Sequence, residues 1–389
     1  MKKFSAETVT KGHPDKIADQ ISDVLLDAYL SKDNKAKIAI ETVVSKNKVI
    51  LLGEINTKYK LNNLEIENLV KKTIKEIGYI KKEDNFYFDN IIIMNFIQKQ
   101  SNEISKAVDN KGAGDQGTMF GFATKETSLF LPLNFYLAKE LSNKLTEVRE
   151  KKEISFLKPD GKTQITLVYD DNNKPLYIDN IIISCQHDKN IKQEYLKQEI
   201  IEKVIKKISK PFLINSKTKF YINPSGSFTL GGPAIDTGLT GRKIIQDSYG
   251  SEIRHGGGCF SGKDPTKVDR SGAYMARYLA KNIVASGICD KCEIQIAYAI
   301  GIKKPVSLYV NTFKTSKIEE SIIRKTIKNY FDLSPQGIIK KLNLNKPIFA
   351  VTSREGHFGR EDNLFSWEKT DQKDIFSKLL FEKNKNIKI

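Results

Sequence analysis

The segment at residues 254–270 most constrains this chain; it reads Arg-His-Gly-Gly-Gly-Cys-Phe-Ser-Gly-Lys-Asp-Pro-Thr-Lys-Val-Asp-Arg. Three consecutive glycines allow backbone conformations that a Cβ atom would forbid. Apolar residues then recur at helical spacing from Val268 to Val284, and Gly287 is suited to end that helix. The free amides of a glycine loop and of a helix N-terminus bind anions, and lysine adds a point charge there.

Charged residues surround the junction between this loop and the predicted helix. They are Lys263, Asp264, Lys267, Asp269 and Arg270, and we expect them in the first turns of the helix. Asp269 is a candidate magnesium ligand, because Mg²⁺ prefers carboxylate oxygens. The segment therefore predicts a cradle for a polyphosphate and a metal ion. It is not a Walker A loop, since the order G-x-x-x-x-G-K-[ST] is absent, and a glycine turn before a solvated helix is the alternative.

A second candidate lies at the start of an earlier helix, in the sequence Gly-His-Pro-Asp-Lys at residues 12–16. Pro14 fits the first position of a helix, and apolar residues follow at helical spacing up to Ala28. His13 and Asp15 therefore lie at the helix entrance, where a ligand can approach. A purely structural role for the histidine is the alternative.

A third candidate is the glycine-rich region at residues 223–245. Phe228 lies between glycine turns and can stack on a flat ring, with ordinary core packing as the alternative. Asp236 precedes a segment that can start a short helix. Arg242 and Lys243 are adjacent there, and such a pair suits phosphate binding.

A fourth candidate is the alternation of glycines around Asp115 at residues 112–117. It follows a polar stretch without periodicity at residues 101–111. A long polar loop that runs into a glycine turn is typical of a movable lid over a ligand site.

The hydrophobic pattern alternates between strands and helices. Strands are predicted at residues 36–44 and 48–56, and each carries one acid, Glu41 or Glu54. We expect Glu54 to be buried beside a cation, with solvent exposure of both acids as the alternative. Proline and glycine predict a turn at residues 158–162. Other helices are predicted at residues 64–77, 129–149, 191–208, 317–330 and 334–342, and other strands at 90–97, 165–169, 176–185, 220–222 and twice within 292–313. The order of elements indicates an α+β fold of three similar units with helices on one sheet face.

Composition limits the class of protein. The net charge is +17 over 389 residues, but lysines are spread along the chain, so nucleic-acid binding is the weaker alternative. Four scattered cysteines do not form a disulfide framework, and the pair Cys289 and Cys292 lacks a second pair for a zinc site. No apolar run is long enough for a transmembrane helix, and the N-terminus has no apolar signal region. We therefore expect a cytoplasmic protein that binds neither nucleic acid nor membrane.

Four of these motifs together resemble the S-adenosylmethionine synthetase, or methionine adenosyltransferase, family. They are residues 12–16, 112–117, 231–243 and 256–270, and the Gly-His-Phe-Gly-Arg sequence at 356–360 is similar to that family's C-terminus. The resemblance implies three related α/β-sandwich-type domains about a pseudo-threefold axis, with sheet faces forming a dimer interface. The implied segments are a domain at 1–100, a mobile active-site loop at 101–111, and domains at 112–229 and 230–389.

The resemblance also implies the reaction. Members of the family make S-adenosylmethionine from ATP and L-methionine: the methionine sulfur attacks C5′ of the ribose, and the triphosphate leaves. The same site then hydrolyses triphosphate to pyrophosphate and phosphate. The family uses Mg²⁺, for which we expect two ions per site, and K⁺. Its active sites are built by two subunits, so a homodimer or a homotetramer is implied. An inactive relative kept as a partner subunit is the alternative.

The resemblance assigns roles to residues of this chain. The implied catalytic residues are His13, Lys162, Arg242, Lys243 and Lys263, with His13 beside the breaking C5′–O bond. The implied ATP-binding residues are these five together with Asp160, Ser227, Phe228, Asp236 and Cys259. The implied methionine-binding residues are Glu54, Gln100, Asp115, Asp236 and Lys267. The implied metal ligands are Asp15 and Asp269 for Mg²⁺ and Glu41 for K⁺.

Three positions depart from the family's pattern. Cys259 replaces the usual alanine of the glycine loop and adds a thiol beside the ATP site. Ser227 stands where many members have arginine. The loop between Gln100 and Gly112 is shorter than in bacterial members, which predicts a different lid closure. None of the three removes a residue that the chemistry requires.

Overall fold

The computed structural model describes residues 1–100, 112–208 and 210–386. The strands are β1 (Lys2–Val9), β2 (Lys37–Ser45), β3 (Lys48–Asn56), β4 (Ile92–Lys99), β5 (Gly117–Thr124), β6 (Leu157–Tyr169), β7 (Pro175–His187), β8 (Lys219–Ile222), β9 (Gly238–Leu239), β10 (Lys291–Tyr298) and β11 (Ser307–Asn311). The α-helices are α1 (Pro14–Lys32), α2 (Asn63–Ile77), α3 (Leu133–Glu150), α4 (Gln193–Lys203), α5 (Ile244–Asp247), α6 (Val268–Ala285), α7 (Glu320–Tyr330), α8 (Pro335–Leu342), α9 (Thr352–Glu355) and α10 (Lys373–Asn386). The predicted mobile loop at 101–111 lies outside the described residues.

The strands form three sheets, and each sheet has one long helix against it. The strand orders are β4-β3-β2-β9, β1-β6-β7-β8 and β11-β10-β5. Helix α1 packs on β2, α3 packs on β1 and β6, and α6 packs on β5 and β10. This is an α+β fold of three helix-and-sheet units, which confirms the predicted fold class. No helix among the described residues combines the length and apolarity that crossing a membrane requires.

Each sheet takes one strand from a distant part of the chain. Strand β1 pairs antiparallel with β6, from Lys2 opposite Tyr169 to Val9 opposite Lys162. Strand β5 pairs with β10, and the short β9 pairs with β2. The three units are therefore interlocked through their sheets, and the sequence boundaries given above stay a prediction.

Local sequence signals located several elements correctly. Helix α1 begins at Pro14, and the His13 side chain caps it. Strand β3 covers the predicted residues 48–56. Helix α2 ends at Gly78, which has a left-handed φ of 115°. Ser334 caps α8, because its hydroxyl accepts the Gly337 N–H at 3.1 Å.

Other predictions were wrong. Strands β1 and β5 were not predicted, and the predicted turn at residues 158–162 lies inside β6, where the pairing with β7 shifts register. The helix predicted at residues 191–208 ends at Lys203 and is followed by a 3₁₀ turn. Helix α6 begins only at Val268, so that Lys263, Asp264 and Lys267 precede it.

A buried ion cluster joins α6 to the segment before α10. The carboxylate of Glu368 accepts hydrogen bonds from the Arg277 guanidinium at 3.0 Å and from Lys281 Nζ at 2.7 Å. It also accepts the Gly359 N–H at 2.9 Å. Arg277 and Glu368 are both buried, so each charge depends on the other for compensation.

Replacing Glu368 with glutamine leaves two buried cations without their counter-ion. We expect Glu368→Gln to lower the free energy of unfolding by about 3 kcal/mol, measured by urea denaturation. Glu202→Gln is the matched control, because Glu202 pairs with Lys206 on the surface and such pairs contribute about 0–1 kcal/mol. Equal urea midpoints for the two variants would contradict the expected role of Glu368.

Candidate active site

His13 lies at the N-terminus of α1 and is held in one orientation. Its Nδ1 accepts the backbone N–H of Asp15 at 3.2 Å. Burial, followed by the positive charge of Lys243, lowers the pKa of His13 to about 4. The ring is therefore neutral near pH 7, and because Nδ1 is an acceptor, the proton lies on Nε2. Nε2 is then a hydrogen-bond donor that a ligand oxygen can use.

Asp15 connects this helix end to the segment after β9. Its Oδ1 accepts the Leu239 N–H at 3.0 Å, and its Oδ2 accepts Lys243 Nζ at 2.5 Å. Arg242 Nε lies 3.7 Å from Oδ1. Burial alone would raise the pKa of Asp15, but the bonds from Lys243 and Leu239 outweigh it and lower the pKa. Asp15 is therefore a carboxylate at neutral pH.

Other predicted residues lie within electrostatic range of His13. The positive charges of Lys243 and Lys162 lower the pKa of His13, whereas the negative charges of Asp15 and Asp236 raise it. Lys162 is largely exposed on β6 and pairs with Glu7 at 2.9 Å. We call these residues, together with the predicted site residues beside them, the histidine group; its members are His13, Asp15, Asp160, Lys162, Phe228, Asp236, Arg242 and Lys243.

Within the histidine group, Asp160 and Phe228 contact the glycines at residues 231–232. The Oδ2 of Asp160 accepts the Gly232 N–H at 2.8 Å, and burial raises the pKa of Asp160 to about 6. The Phe228 N–H donates to His187 Nε2 at 3.2 Å. The Phe228 ring is half-buried and lies against Gly231, where an added Cβ would be 2.8 Å from a ring carbon. Neighbouring Ser227 is exposed.

A second cluster forms around the glycine-rich segment. Lys263 Nζ donates to Asp269 Oδ2 at 2.6 Å. Burial alone would lower the pKa of Lys263, but the nearby Cys259 and Asp269 outweigh it, and the pKa is raised. The negative charge of Asp115 also raises the pKa of Lys263, and the negative charge of Glu41 raises the pKa of the Cys259 thiol. We call this set the glycine-loop group; its members are Glu41, Asp115, Cys259, Lys263 and Asp269.

Close packing explains most glycines of this segment better than backbone freedom does. A Cβ on Gly256 would lie 1.7 Å from the Thr118 carbonyl oxygen, and one on Gly258 would lie 2.2 Å from Asp269 Oδ1. A Cβ on Gly262 would lie 1.9 Å from the Ile40 carbonyl oxygen, and its φ is 79°. The loop is thus pressed against β2, β5 and α6, with its charged residues held in place.

The predicted methionine-binding residues differ in burial and in their contacts. The expectation that Glu54 is buried beside a cation was wrong: Glu54 and Glu41 are both exposed on the uncovered face of their sheet. Gln100 is buried, whereas Asp115 is exposed and its Oδ1 accepts the Gln116 N–H at 2.8 Å. Lys267 Nζ donates to Asp264 Oδ2 at 2.6 Å.

The carboxylates predicted to bind Mg²⁺ are Asp15 and Asp269. Among the residues that the structure describes, no group of three or more His, Cys, Asp and Glu side chains is arranged to hold a metal ion. Mg²⁺ usually takes one or two protein carboxylates and completes its shell with substrate phosphates and water. Asp15 and Asp269, each paired with a lysine, fit that donor set.

Sequence reasoning missed a row of acids on α1. Asp15, Asp19, Asp23 and Asp27 recur every fourth residue and therefore share one helix face. Each accepts at least one backbone N–H from the segment after residue 230. We call these four residues the aspartate ladder. The signal was their spacing, which the apolar periodicity of the same helix obscured.

The structure combines three helix-and-sheet units with cationic side chains beside glycine-rich loops, an arrangement that is suited to bind polyphosphates. Family models for S-adenosylmethionine synthetase match the chain in all three domains: the N-terminal domain at residues 1–102, the central domain at 110–228 and the C-terminal domain at 230–369. The chain belongs to the S-adenosylmethionine synthetase family. It is a methionine adenosyltransferase, which synthesises S-adenosylmethionine from ATP and methionine.

The thiol of Cys259 gives a test of the glycine-loop geometry. Cys259 is half-buried against Gly241, where an added Cβ would lie 3.0 Å from Sγ, while the other three cysteines are buried. We expect iodoacetamide to inactivate the wild type and to spare Cys259→Ala, because an added group would push on the segment that carries Arg242. Burial raises the pKa of the thiol, so the rate of inactivation should rise with pH.

Residual activity after exhaustive alkylation is the measurement, with labelling at Cys259 confirmed by mass spectrometry. Equal loss of activity in the wild type and Cys259→Ala would contradict this placement.

Proposed function

We propose that the histidine group and the glycine-loop group are the two walls of the active site of this methionine adenosyltransferase. The observation that carries the proposal is that a lysine accompanies each carboxylate predicted to bind Mg²⁺: Lys243 contacts Asp15 and Lys263 contacts Asp269. A site for a triphosphate with Mg²⁺ needs such mixed charge. The roles of the individual residues follow from this arrangement together with the reaction of the family.

The cations stabilise the departing triphosphate. Arg242 and Lys243 follow one glycine turn and Lys263 follows another, while Lys162 extends from β6. Negative charge grows on the bridging oxygen as the C5′–O bond breaks, so fixed cations stabilise the transition state more than the substrate. One charge 4 Å away contributes about 4 kcal/mol at an effective dielectric near 20, before the cost of desolvation.

His13 acts as a neutral donor to the leaving oxygen. Its Nε2–H is free of the helix cap, since the cap uses Nδ1. Methionine sulfur is neutral before attack, so the reaction needs no general base, and orientation of sulfur and C5′ provides much of the acceleration. The same cations then hold the triphosphate for hydrolysis to pyrophosphate and phosphate.

The remaining assignments complete the site. Phe228 and Asp236 bind the adenosine, with Asp160 fixing the Gly232 amide behind them and Ser227 and Cys259 contributing to the ATP pocket. Glu54, Gln100, Asp115, Asp236 and Lys267 surround methionine, with Asp115 as partner of the ammonium group. Asp15 and Asp269 would each hold Mg²⁺ together with phosphate oxygens, and Glu41 would hold K⁺. Bound Mg²⁺ neutralises phosphate charge.

A homodimer completes each site, with a homotetramer as the alternative assembly. The uncovered face of the sheet β4-β3-β2-β9 carries Leu52, Met94 and Phe96, which are exposed. Leu52 on β3 is paired with Glu41 on β2 and with Phe96 on β4, so Glu41 lies on the same face of the sheet. A second copy that packs here buries an apolar surface and encloses Glu41 and Glu54.

We also place the enzyme in the cytosol, supported by four free cysteines.

Two substitutions test the assigned chemistry. The assay supplies ATP, labelled methionine, Mg²⁺ and K⁺, and detects S-adenosylmethionine and both phosphate products. We expect Lys263→Ala and His13→Asn each to lower kcat by about 10²–10³-fold with little change in the KM for ATP, because both act on developing charge. Lys206→Ala is the control. It removes an exposed lysine from the 3₁₀ turn after α4, and it should keep wild-type kinetics.

An effect on KM alone would show that the role assigned to that residue is wrong.

The pKa of His13, lowered to about 4, adds a second expectation. The wild-type kcat should show no ionisation of this histidine between about pH 6 and 8. An acid limb in that range that disappears in His13→Asn would contradict the neutral-donor role.

The dimer is tested at its apolar face. We expect Phe96→Asp to give a monomer by light scattering, with its far-UV spectrum kept and its activity lost, because a charge cannot be buried unpaired there. Phe212→Asp is the matched control, since Phe212 is an exposed phenylalanine outside the sheets. A Phe96→Asp variant that stays dimeric and active would overturn the proposed interface.

A further inference from the structure

The aspartate ladder is a costly arrangement for a helix. Asp15, Asp19 and Asp23 are buried, and Asp27 is half-buried. Like charges four residues apart destabilise an isolated helix, and burial of each carboxylate carries a desolvation cost. Contacts from outside the helix must therefore compensate for the row, and the structure shows what those contacts are.

Each rung of the ladder holds a backbone amide of the C-terminal part of the chain. Asp19 Oδ1 accepts the Gly241 N–H at 2.8 Å, and Asp23 Oδ1 accepts the Gly262 N–H at 2.8 Å. Asp27 accepts the N–H groups of Phe349 and Ala350 at 3.0 and 2.8 Å. These contacts tie three separate loops to one rigid helix.

The two middle rungs hold the residues immediately before the predicted triphosphate-binding cations. Gly241 precedes Arg242 and Lys243, and Gly262 precedes Lys263. Both glycines have a left-handed φ, 81° and 79°. Neither has room for a Cβ, which would lie 2.5 Å from the Cys259 Cβ or 1.9 Å from the Ile40 carbonyl oxygen. The backbone is thus confined on one side by packing and fixed on the other by an aspartate.

Buried cations form ion pairs with both Asp19 and Asp23. Lys16 Nζ donates to Asp19 Oδ2 at 3.0 Å and to Asp247 Oδ1 at 2.7 Å. The Arg270 guanidinium donates to both oxygens of Asp23, at 2.8 and 3.0 Å, and to the Lys263 carbonyl at 3.0 Å. Arg270 therefore fixes the peptide that follows Lys263, while Asp23 fixes the peptide that precedes Gly262.

We propose that Asp19 and Asp23 are positioning residues of the adenosyl-transfer reaction: by fixing the amides of Gly241 and Gly262, they set where the ammonium groups of Lys243 and Lys263 meet the triphosphate. The inference rests on the proposed roles of these two lysines. Asp19 and Asp23 lie one turn apart, about 6 Å along the helix axis, so α1 also sets the spacing between the two loops. Neither aspartate touches the substrate.

The test isolates the amide contact of Asp19 from its charge. In a Lys16→Met background, Asp19→Asn keeps an oxygen that accepts the Gly241 N–H, whereas Asp19→Ala removes it. Both double variants lose the same buried charges, so their difference reports the amide contact. We expect kcat of the alanine variant to be about 10²-fold below that of the asparagine variant, because small misplacements of catalytic groups have effects of that size. The KM for methionine should be the same in both.

Asp27→Ala is the matched control, since it removes the same type of contact from the same helix at a loop that carries no predicted cation. We expect it to lower the thermal midpoint and to leave kcat unchanged. Equal kcat for the asparagine and alanine variants would overturn the proposal, as would an equal loss of kcat in Asp27→Ala at a matched thermal midpoint.

Lys243→Met separates this proposal from the one on which it rests. If Lys243→Met keeps wild-type kcat, the proposed site is wrong and the positioning role falls with it. If Lys243→Met loses activity while the two Asp19 variants remain equal, only the positioning role is wrong.

Discussion

The ion pair between Asp23 and Arg270 is the interaction on which the rest of the molecule depends. The two residues are 247 positions apart and both are fully buried, and their pairing joins the first long helix to α6. Such a pair is stabilising only when every remaining donor is satisfied. Here the guanidinium also reaches the Tyr274 hydroxyl, the Thr352 hydroxyl and the carbonyls of Phe260 and Lys263. The glycine-rich segment is held in place because its carbonyls complete this pair.

The sequence predicted those elements whose signals are local. Pro14 starts α1 and Gly78 ends α2, since each residue has backbone preferences of its own. Strand β1 was missed because its partner, β6, lies more than 150 residues away and its first residues are exposed lysines. Strand β5 was missed because of its glycines; a Cβ on Gly121 would lie 2.0 Å from the Ala276 carbonyl carbon, so helix packing requires the glycine. Both cases depend on tertiary contacts that a local pattern does not contain.

The candidate site was predictable to a similar extent. Glycine loops followed by cations indicated Lys243 and Lys263, and the structure pairs each lysine with the carboxylate predicted to bind metal. The rungs Asp19 and Asp23 were not found, because the partner of a buried carboxylate is a backbone amide, and every residue except proline has one. Glu54 was expected to be buried because its strand is apolar, yet it lies on the face that no helix covers. The functional roles of these residues stay predictions.

The exchange of strands between sheets constrains the order in which the chain can mature. Strand β1 is synthesised well before its partner β6, so it cannot pair until β6, which ends at Tyr169, has been made. The sheet of β2 and β3 lacks its edge strand β9 until residue 239 is made. Long-range pairing of this kind slows folding and leaves strand edges open in the meantime. The sheets that contain β1 and β2 therefore cannot be completed before β6 and β9 have been translated, and their open edges are exposed to misassociation until then.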